Sequence, residues 1–255
     1  MHILSWNING IRAAEKKGLG PWIQRTSPDI LCLQETKTDQ EHLPTSLRDL
    51  PGYHSFLSPA ERKGYSGVAT LCTHEPLAVQ TGFGIDEFDT EGRILITEHP
   101  EFTLFNIYFP NGKKNKERLT YKMRFYDAFL GYIDAWRNEH GHVVIGGDFN
   151  TAHEEIDLAR PKPNATVSGF LPEERAWIST FIKHGYTDTF RAFNKKSDQY
   201  TYWDQRTRAR ERNIGWRIDY FFVDTAFLPN VKNAYIMPAV TGSDHCPIGL
   251  ELTLK

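Results

Sequence analysis

Val143-Val144-Ile145-Gly146-Gly147-Asp148-Phe149-Asn150 is the stretch on which the reading of this chain turns. Three aliphatic residues in a row describe a strand buried on both faces. Two glycines are expected to end it, and without a Cβ they let another group approach the backbone closely. A carboxylate and a carboxamide then follow, two residues apart. In open α/β sheets ligands bind at loops beyond strand ends. Asp148 and Asn150 would share such a rim, one to take or hold a proton and the other to donate a hydrogen bond. The plain alternative is an Asx turn after a core strand, and the rest of the chain decides between them.

Outward from this stretch, the long helix before it is predicted over Glu117 to Asn138. Leu119, Met123, Tyr126, Leu130, Ile133 and Trp136 recur every three or four residues and form its buried stripe. A second helix is predicted from Pro172 to His184, with Gly185 as its stop. Towards the N-terminus the pattern gives strands over His2–Ile8, Asp29–Gln34, Tyr53–Leu57, Gly67–Cys72, Arg93–Glu98 and Phe102–Phe109. Helices are expected over Ile11–Arg25, interrupted near Gly18-Leu19-Gly20-Pro21, and over Gln40–Leu47. Beyond the second helix lie strands over Tyr200–Trp203, Arg217–Val223, Lys232–Met237 and Pro247–Leu254. So many strands with so few helices do not fit a plain βαβ alternation. They fit two sheets packed face to face with helices outside, in one domain.

Composition sets the bounds. The 255 residues are 40% hydrophobic and 24% charged, as in an ordinary soluble globular protein. A domain of this length buries roughly three quarters of its unfolded surface and needs no covalent staple. The net charge of −2 does not advertise a nucleic-acid partner, so any basic face is local. Cys32, Cys72 and Cys246 are odd in number and far apart, which fits free thiols in a reducing compartment. The chain enters a strand at once, with no signal peptide and no apolar run of membrane-spanning length. The expected compartment is the cytoplasm, with no membrane partner, and the expected state is a monomer.

Acidic and amide residues recur at the ends of these strands. Asn7 follows the first, Glu35 the second, Tyr108 and Asn111 the aromatic one, and Asp148 and Asn150 the buried one. Asp219 lies just after Arg217, with which it could pair as a structural bridge, and Ser243-Asp244-His245 precede the last strand. Each alone reads as a turn or cap residue. If their rims converge, Glu35 and Asn7 supply hard oxygen ligands suited to an octahedral Mg²⁺, or Mn²⁺ in its place, rather than to zinc. No H-E-x-x-H or Cys/His ligand set is present. His245 backed by a carboxylate charges near neutral pH. Beside a metal such a pair suits phosphodiester hydrolysis, whose transition state carries dispersed negative charge. The sequence contains no Gly-x-Ser-x-Gly elbow and no phosphate-cradling G-x-x-x-x-G-K-[ST] loop.

A series of motifs then stands in order along nearly the whole chain: Trp6-Asn7-Ile8-Asn9-Gly10, Leu33-Gln34-Glu35-Thr36-Lys37, Gly64-Tyr65-Ser66-Gly67-Val68, Tyr108-Phe109-Pro110-Asn111-Gly112, Gly147-Asp148-Phe149-Asn150, Gly169-Phe170-Leu171-Pro172-Glu173-Glu174-Arg175, Gly215-Trp216-Arg217-Ile218-Asp219-Tyr220 and Gly242-Ser243-Asp244-His245-Cys246-Pro247. Together they closely resemble the exonuclease III family of apurinic/apyrimidinic (AP) endonucleases. That family belongs to a superfamily of metal-dependent phosphodiesterases and phosphatases. The resemblance implies a four-layer α/β sandwich, two mixed β-sheets packed face to face with helices on both outer faces. It implies Glu35 as the main Mg²⁺ ligand, with Asn7 alongside and Asp244 near the metal. It implies Asp148 as the group activating the attacking water, Asn150 as the positioner of that water or of the phosphate, and Tyr108 and Asn111 as phosphate contacts. His245, oriented by Asp219, would hold the scissile phosphate or assist the proton relay.

The same resemblance places Lys37, Lys63, Tyr65 and Arg93 on the DNA backbone, and Tyr202 and Trp216 on the walls of a pocket for a flipped-out abasic sugar. Tyr202 stands where relatives often carry Phe or Trp, and Asn9 where some carry Asp. The run Arg206-Thr207-Arg208-Ala209-Arg210-Glu211-Arg212 is locally basic and reads as a phosphate-tracking loop carrying Arg208. The expected partner is duplex DNA with abasic sites or blocked 3′ ends. The expected activity is a cut 5′ to the abasic site, with 3′-repair phosphodiesterase and 3′→5′ exonuclease activity beside it. The rivals are a phosphatase acting on a small phosphate ester and a non-catalytic DNA-damage binder.

Overall fold

The structure, a computed structural model, describes residues 1–254. The first half of the chain gives β1 (His2–Asn7), α1 (Ile11–Lys16), α2 (Leu19–Thr26), β2 (Ile30–Gln34), α3 (Thr45–Arg48), β3 (His54–Ser58), β4 (Val68–Cys72), β5 (Ala78–Thr81), α4 (Asp86–Asp89), β6 (Ile94–Glu98) and β7 (Thr103–Tyr108). The second gives α5 (Lys116–His140), β8 (Val143–Asp148), α6 (Pro161–Asn164), α7 (Pro172–Lys183), β9 (Tyr186–Asp188), α8 (Thr189–Phe193), β10 (Asp219–Asp224), β11 (Val231–Ile236) and β12 (Ile248–Leu252).

The strands form two mixed six-stranded sheets, in the orders β11-β12-β1-β2-β4-β3 and β5-β6-β7-β8-β10-β9. Side chains alternate across each strand, so each sheet has two apolar faces to cover. Ile3, Ile30 and Cys32 face Leu104, Val144 and Phe221 across the gap between the sheets. Their neighbours Leu4, Leu31 and Leu33 point outward onto Leu19, Trp22 and Ile23 of α2. On the other side Phe105, Ile107 and Ile145 point outward onto Phe125, Phe129 and Phe181 of α5 and α7. The result is the layered α/β sandwich that the resemblance implied.

One parallel pair sits at the centre of each sheet, β1 with β2 and β7 with β8. Their C-terminal ends lie at one edge of the sandwich. The antiparallel partners β12 and β10 necessarily begin at that same edge. Strand ends carrying Asn7, Glu35, Tyr108 and Asp148 therefore meet strand beginnings carrying Asp219 and His245. Beneath this edge a buried polar bolt joins the sheets: Gln34 Nε2 donates to Ser5 Oγ (3.0 Å) and Asn106 Oδ1 (2.8 Å), and Asn106 Nδ2 donates to the Ala69 carbonyl (2.7 Å).

Several expectations need correction. The glycines do not end β8, which continues through Asp148. They are there for close approach: a Cβ on Gly146 would strike the Phe221 ring, and one on Gly147 (φ +148°) the Ile107 carbonyl. Of Gln40–Leu47 only Thr45–Leu47 is helical, within α3. Tyr200–Trp203 is not a strand; its Tyr202 makes isolated bridges to Trp216 and His245. Arg217 lies before β10, not in it. The buried face of α5 is Lys122, Phe125, Tyr126, Phe129 and Ile133, one residue round from the expected stripe, and Met123, Leu130 and Trp136 are only partly covered.

Candidate active site

Asp148 is the hub of the rim. Its Oδ2 accepts from Asn7 Nδ2 at 2.9 Å, and the same nitrogen donates to Glu35 Oε1 at 3.0 Å. Its Oδ1 accepts the Asn150 amide at 2.7 Å. Strand register sets Asp219 directly opposite it on one side and Tyr108 on the other. His245 Nδ1 lies 2.8 Å from Asp219 Oδ2, and its Nε2 lies 3.9 Å from Asp148 Oδ2. Asp219 thus fixes the imidazole so that its other nitrogen faces Asp148, and the alternative pairing of Asp219 with Arg217 is not made. Arg217 instead ties Asp157 (2.8 Å) to Asp188 (2.6 Å).

Asn111 Nδ2 donates to Asn150 Oδ1 (2.9 Å), and Asn150 Nδ2 to the Phe109 carbonyl (2.9 Å). Asp244 sits at the mouth, accepting both from Asn9 Nδ2 (3.1 and 3.2 Å) and from Ser243 Oγ (3.0 Å). The backbone is strained where these groups gather. Asn9, Glu35, Lys37, Ser66 and Asn150 all have φ between +44° and +53°. Such non-glycine conformations cost about 1–3 kcal/mol each and persist only where surrounding contacts over-determine them.

Burial and charge shift the titrating groups in opposite directions. Burial, and then the charge of Asp219, push Asp148 up to about 7. Burial alone would lower His245, but Asp219, Asp148 and Asp244 outweigh it and raise the imidazole to about 10. Burial would raise Glu35, yet the Lys37 ammonium 2.8 Å away and Asn7 hold it below the usual carboxylate range. Tyr108 is pushed well up by burial and by Glu35, so its phenol stays protonated and can donate.

The donor set suits a hard cation. Glu35, Asp148, Asp219 and Asp244 gather at this rim, with His245 and Lys37 as direct counter-charges and Lys113 nearby. Oxygen or nitrogen atoms of Asp148, Asp219 and His245 lie within 4.8 Å of one another. Asp219 Oδ1 is buried and, among the described residues, has no hydrogen-bond partner. Asn7 turns its nitrogen to the carboxylates and bridges them as a donor, so acting as an oxygen ligand requires its amide to turn over.

Beside the rim, the half-buried Tyr202 and Trp216 pack on a buried apolar cluster of Ala152, Leu158, Phe170 and Ile218 and leave an aromatic surface at the edge of the site. The Tyr202 ring is 4.9 Å from the His245 ring, and mutual backbone bonds of 2.9 Å hold Tyr202 to Trp216. Lys113 Nζ stands 5.0 Å from the Trp216 ring and 5.8 Å from that of Tyr202. The sequence reading missed this lysine, although it lies two residues after Asn111 in a Lys-Lys pair. A groove of about 670 Å³ lined by Gly10, Arg12, Lys16 and Lys37 runs into one of about 380 Å³ lined by Arg12, Lys37, Arg62 and Lys63.

Two of the expected DNA contacts sit differently. Arg93 is only 2% exposed and is bound to Glu91, the Tyr108 carbonyl (2.9 Å) and Tyr65 Oη (3.1 Å). It supports Tyr65 and Tyr108 from below and presents no free guanidinium to a backbone. In the basic loop Arg206 and Arg208 are exposed, whereas Arg210 turns inward to the Val240 (2.6 Å) and Pro238 (3.0 Å) carbonyls.

Residues 4–245 match the model of the Endonuclease/Exonuclease/phosphatase family. The chain belongs to this family. Among its relatives is DNA repair nuclease APEX1 of Danio rerio, 42% identical over all of this chain and 83% of that protein. Another is an exodeoxyribonuclease of Bacillus subtilis (strain 168), 38% identical over the whole of both. The fold superposes on an AP endonuclease from Archaeoglobus fulgidus with a TM-score of 0.91, at 27% identity, covering all of both chains. The matched residues include every rim residue from Asn7 to His245 and every strand but β12 and the start of β1. Among the described residues no helix is long and apolar enough to cross a membrane.

Proposed function

We propose that this protein is an AP endonuclease of base excision repair, cutting duplex DNA 5′ to an abasic site to leave a 3′-hydroxyl. A 3′-repair phosphodiesterase and a 3′→5′ exonuclease activity accompany it, because a blocked or ordinary 3′ end presents the same phosphodiester to the same rim. The observation that carries this reading is the juxtaposition of the Asp148–Asp219–His245 cluster with the half-buried Tyr202–Trp216 pair, whose Tyr202 ring lies 4.9 Å from that of His245. An aromatic surface of this kind can pack against a sugar extruded from the duplex, and extrusion costs least where the base is missing.

In this reading Glu35, with Asn7 and Asp244, holds Mg²⁺, and Mn²⁺ can replace it. The bound cation supplies charge stabilisation to the phosphoryl oxygens. Asp148, its carboxyl raised towards neutrality, takes the proton of the attacking water, which Asn150 orients through its amide. His245, kept protonated by Asp219, donates to a non-bridging phosphate oxygen. Tyr108 and Asn111 donate to the phosphate from the other side. Positioned acid–base groups of this kind contribute roughly 10² to 10⁴-fold each. Lys37, Lys63 and Tyr65 line the grooves on which the duplex lies, Arg208 meets it from the basic loop, and Trp216 and Tyr202 hold the extruded sugar. The catalytic unit is a single domain acting as a monomer.

A labelled duplex carrying one tetrahydrofuran abasic analogue tests the reading. The analogue does not undergo β-elimination, so hydrolysis is separated from lyase chemistry. A single 5′-side cut, present with Mg²⁺ and absent with a chelator, is the expected result. Hydrolysis of small phosphate esters with no cutting of this duplex would overturn it.

A further inference from the structure

The least expected buried group is Lys122 in α5. Its side chain and that of Glu174 in α7 are both fully buried, 2.6 Å apart. A lysine in a hydrophobic core is costly unless its charge is paired and its donors are used. Here every donor has a partner. Besides Glu174, Nζ reaches the Asn150 carbonyl at 2.7 Å and Thr151 Oγ1 at 2.8 Å. Tyr126 Oη donates to the Phe149 carbonyl at 2.6 Å and lies 2.9 Å from Thr151 Oγ1, whose hydroxyl proton it accepts. The turn that carries Asn150 at φ +52° is thus bound from below at consecutive residues.

Glu174 faces the other way as well. Its Oε2 accepts the amides of Gly169 (2.5 Å) and Leu171 (3.0 Å), and its Oε1 accepts Ser168 Oγ (2.8 Å). Gly169 is where the two halves of the site touch. A Cβ there would come within 3.3 Å of both the Asn150 carbonyl and the Trp216 ring. One ion pair therefore grips the turn bearing Asp148 and Asn150 and also the loop that backs Trp216.

We propose that Lys122 and Glu174 are positioning residues for the reaction, setting the register between the phosphodiester-cutting turn and the Tyr202–Trp216 pair that holds the sugar. They touch neither substrate nor metal and act through Asn150 and Gly169. The proposal rests on the functional reading above, in which Asn150 orients the attacking water. Its prediction is a kinetic split. The ground-state complex is made by the grooves and the aromatic pair and is retained, while the transition state needs Asn150 within a fraction of an ångström.

The test compares Asn150→Ala with the double variant Lys122→Met/Glu174→Gln, on the tetrahydrofuran duplex with Mg²⁺. Single replacement at either position leaves an uncompensated buried charge and endangers the fold, and the paired change leaves none. For the double variant kcat is expected to fall 10- to 100-fold, with KM within threefold and an unchanged far-ultraviolet spectrum. Lys122→Gln/Glu174→Gln, whose amide at 122 can still donate to the Asn150 carbonyl, is expected to recover part of the loss. It also serves if the methionine variant fails to fold. Turnover within twofold of the unmodified protein in both double variants, alongside a 100-fold loss in Asn150→Ala, would overturn the clamp and leave the functional reading intact. Full turnover in Asn150→Ala would overturn the premise as well.

Discussion

Asp148 shows how activity and stability oppose each other at one side chain. Its pKa in the folded protein is about 7 against an ordinary 3.8. The folded state therefore holds this proton more tightly than the unfolded state, and stability attributable to the group declines as pH rises from about 4 to about 7. Asp148→Asn removes that penalty. At pH 8 with a chelator present, its thermal midpoint is expected to lie a few degrees above that of the unmodified protein, read by differential scanning calorimetry. Cutting of the abasic duplex is expected to fall at least 10²-fold in the same variant, since the proton acceptor is gone. His245→Ala is expected to lose activity comparably with no gain in stability, because it strips Asp148 and Asp219 of their shared cation. Glu35→Gln is expected to raise the Mg²⁺ concentration needed for half-maximal cutting by about tenfold or more, measured by metal titration. Asn7, Glu35, Asp148 and His245 were visible in the sequence because each stands at the end or start of a strand whose pattern is clear. The direct bonds among them were not, since spacing along the chain says nothing about which rim faces which.

At the scale of the elements, the buried cation Arg217 explains why the segment before β10 is placed so firmly. It binds Asp157 and Asp188, and Arg191 adds a second guanidinium to Asp157 at 2.6 Å. Burial would raise the Asp157 carboxyl, but Arg217 and Arg191 outweigh it and depress it to about 2. A depressed carboxyl stabilises the fold fully above its unfolded pKa near 3.8 and loses that contribution as pH falls through about 2. The contribution is on the order of 2 kcal/mol. Asp157→Asn is expected to lower unfolding free energy by at least that amount at pH 7, because Arg217 is left under-compensated. It is also expected to flatten the acid limb of stability between pH 4 and pH 2, as followed by urea titration. This network was not legible in advance: Arg217 sits in a strand-like run and its neighbour Asp219 was the obvious partner. The α5 stripe failed for a related reason. Lys122 lies on the buried face, and an apolar count assigns a lysine to solvent, which rotates the inferred stripe by one position. Conversely α7 was read closely, since Pro172 at its start and Gly185 after its end are both local signals.

For the molecule as a whole, a net charge of −2 conceals an uneven distribution. The paired grooves carry Arg12, Lys16, Lys37, Arg62 and Lys63 on one side of the rim. Arg206 and Arg208 stand in the basic loop that follows Tyr202 and Trp203. A duplex laid across both would neutralise phosphates on either side of the extruded sugar and release counterions. Binding is then salt-dependent, with a slope of log K against log salt of about −0.9 per phosphate contacted. Lys63→Ala and Arg208→Ala are each expected to reduce that slope by about one, in fluorescence anisotropy with an uncut abasic duplex in chelator. Arg210→Ala separates surface charge from architecture, since it removes the same charge from the same loop. Its guanidinium is spent on the Val240, Pro238 and Ser243 carbonyls and stacks 4.6 Å from the Trp203 ring. Those bonds hold the loop against the segment that delivers Ser243, Asp244 and His245 to the rim. The slope is therefore expected to stay unchanged in Arg210→Ala while the thermal midpoint and kcat both fall. A slope reduced as much as in Arg208→Ala, with stability intact, would instead place Arg210 on the DNA.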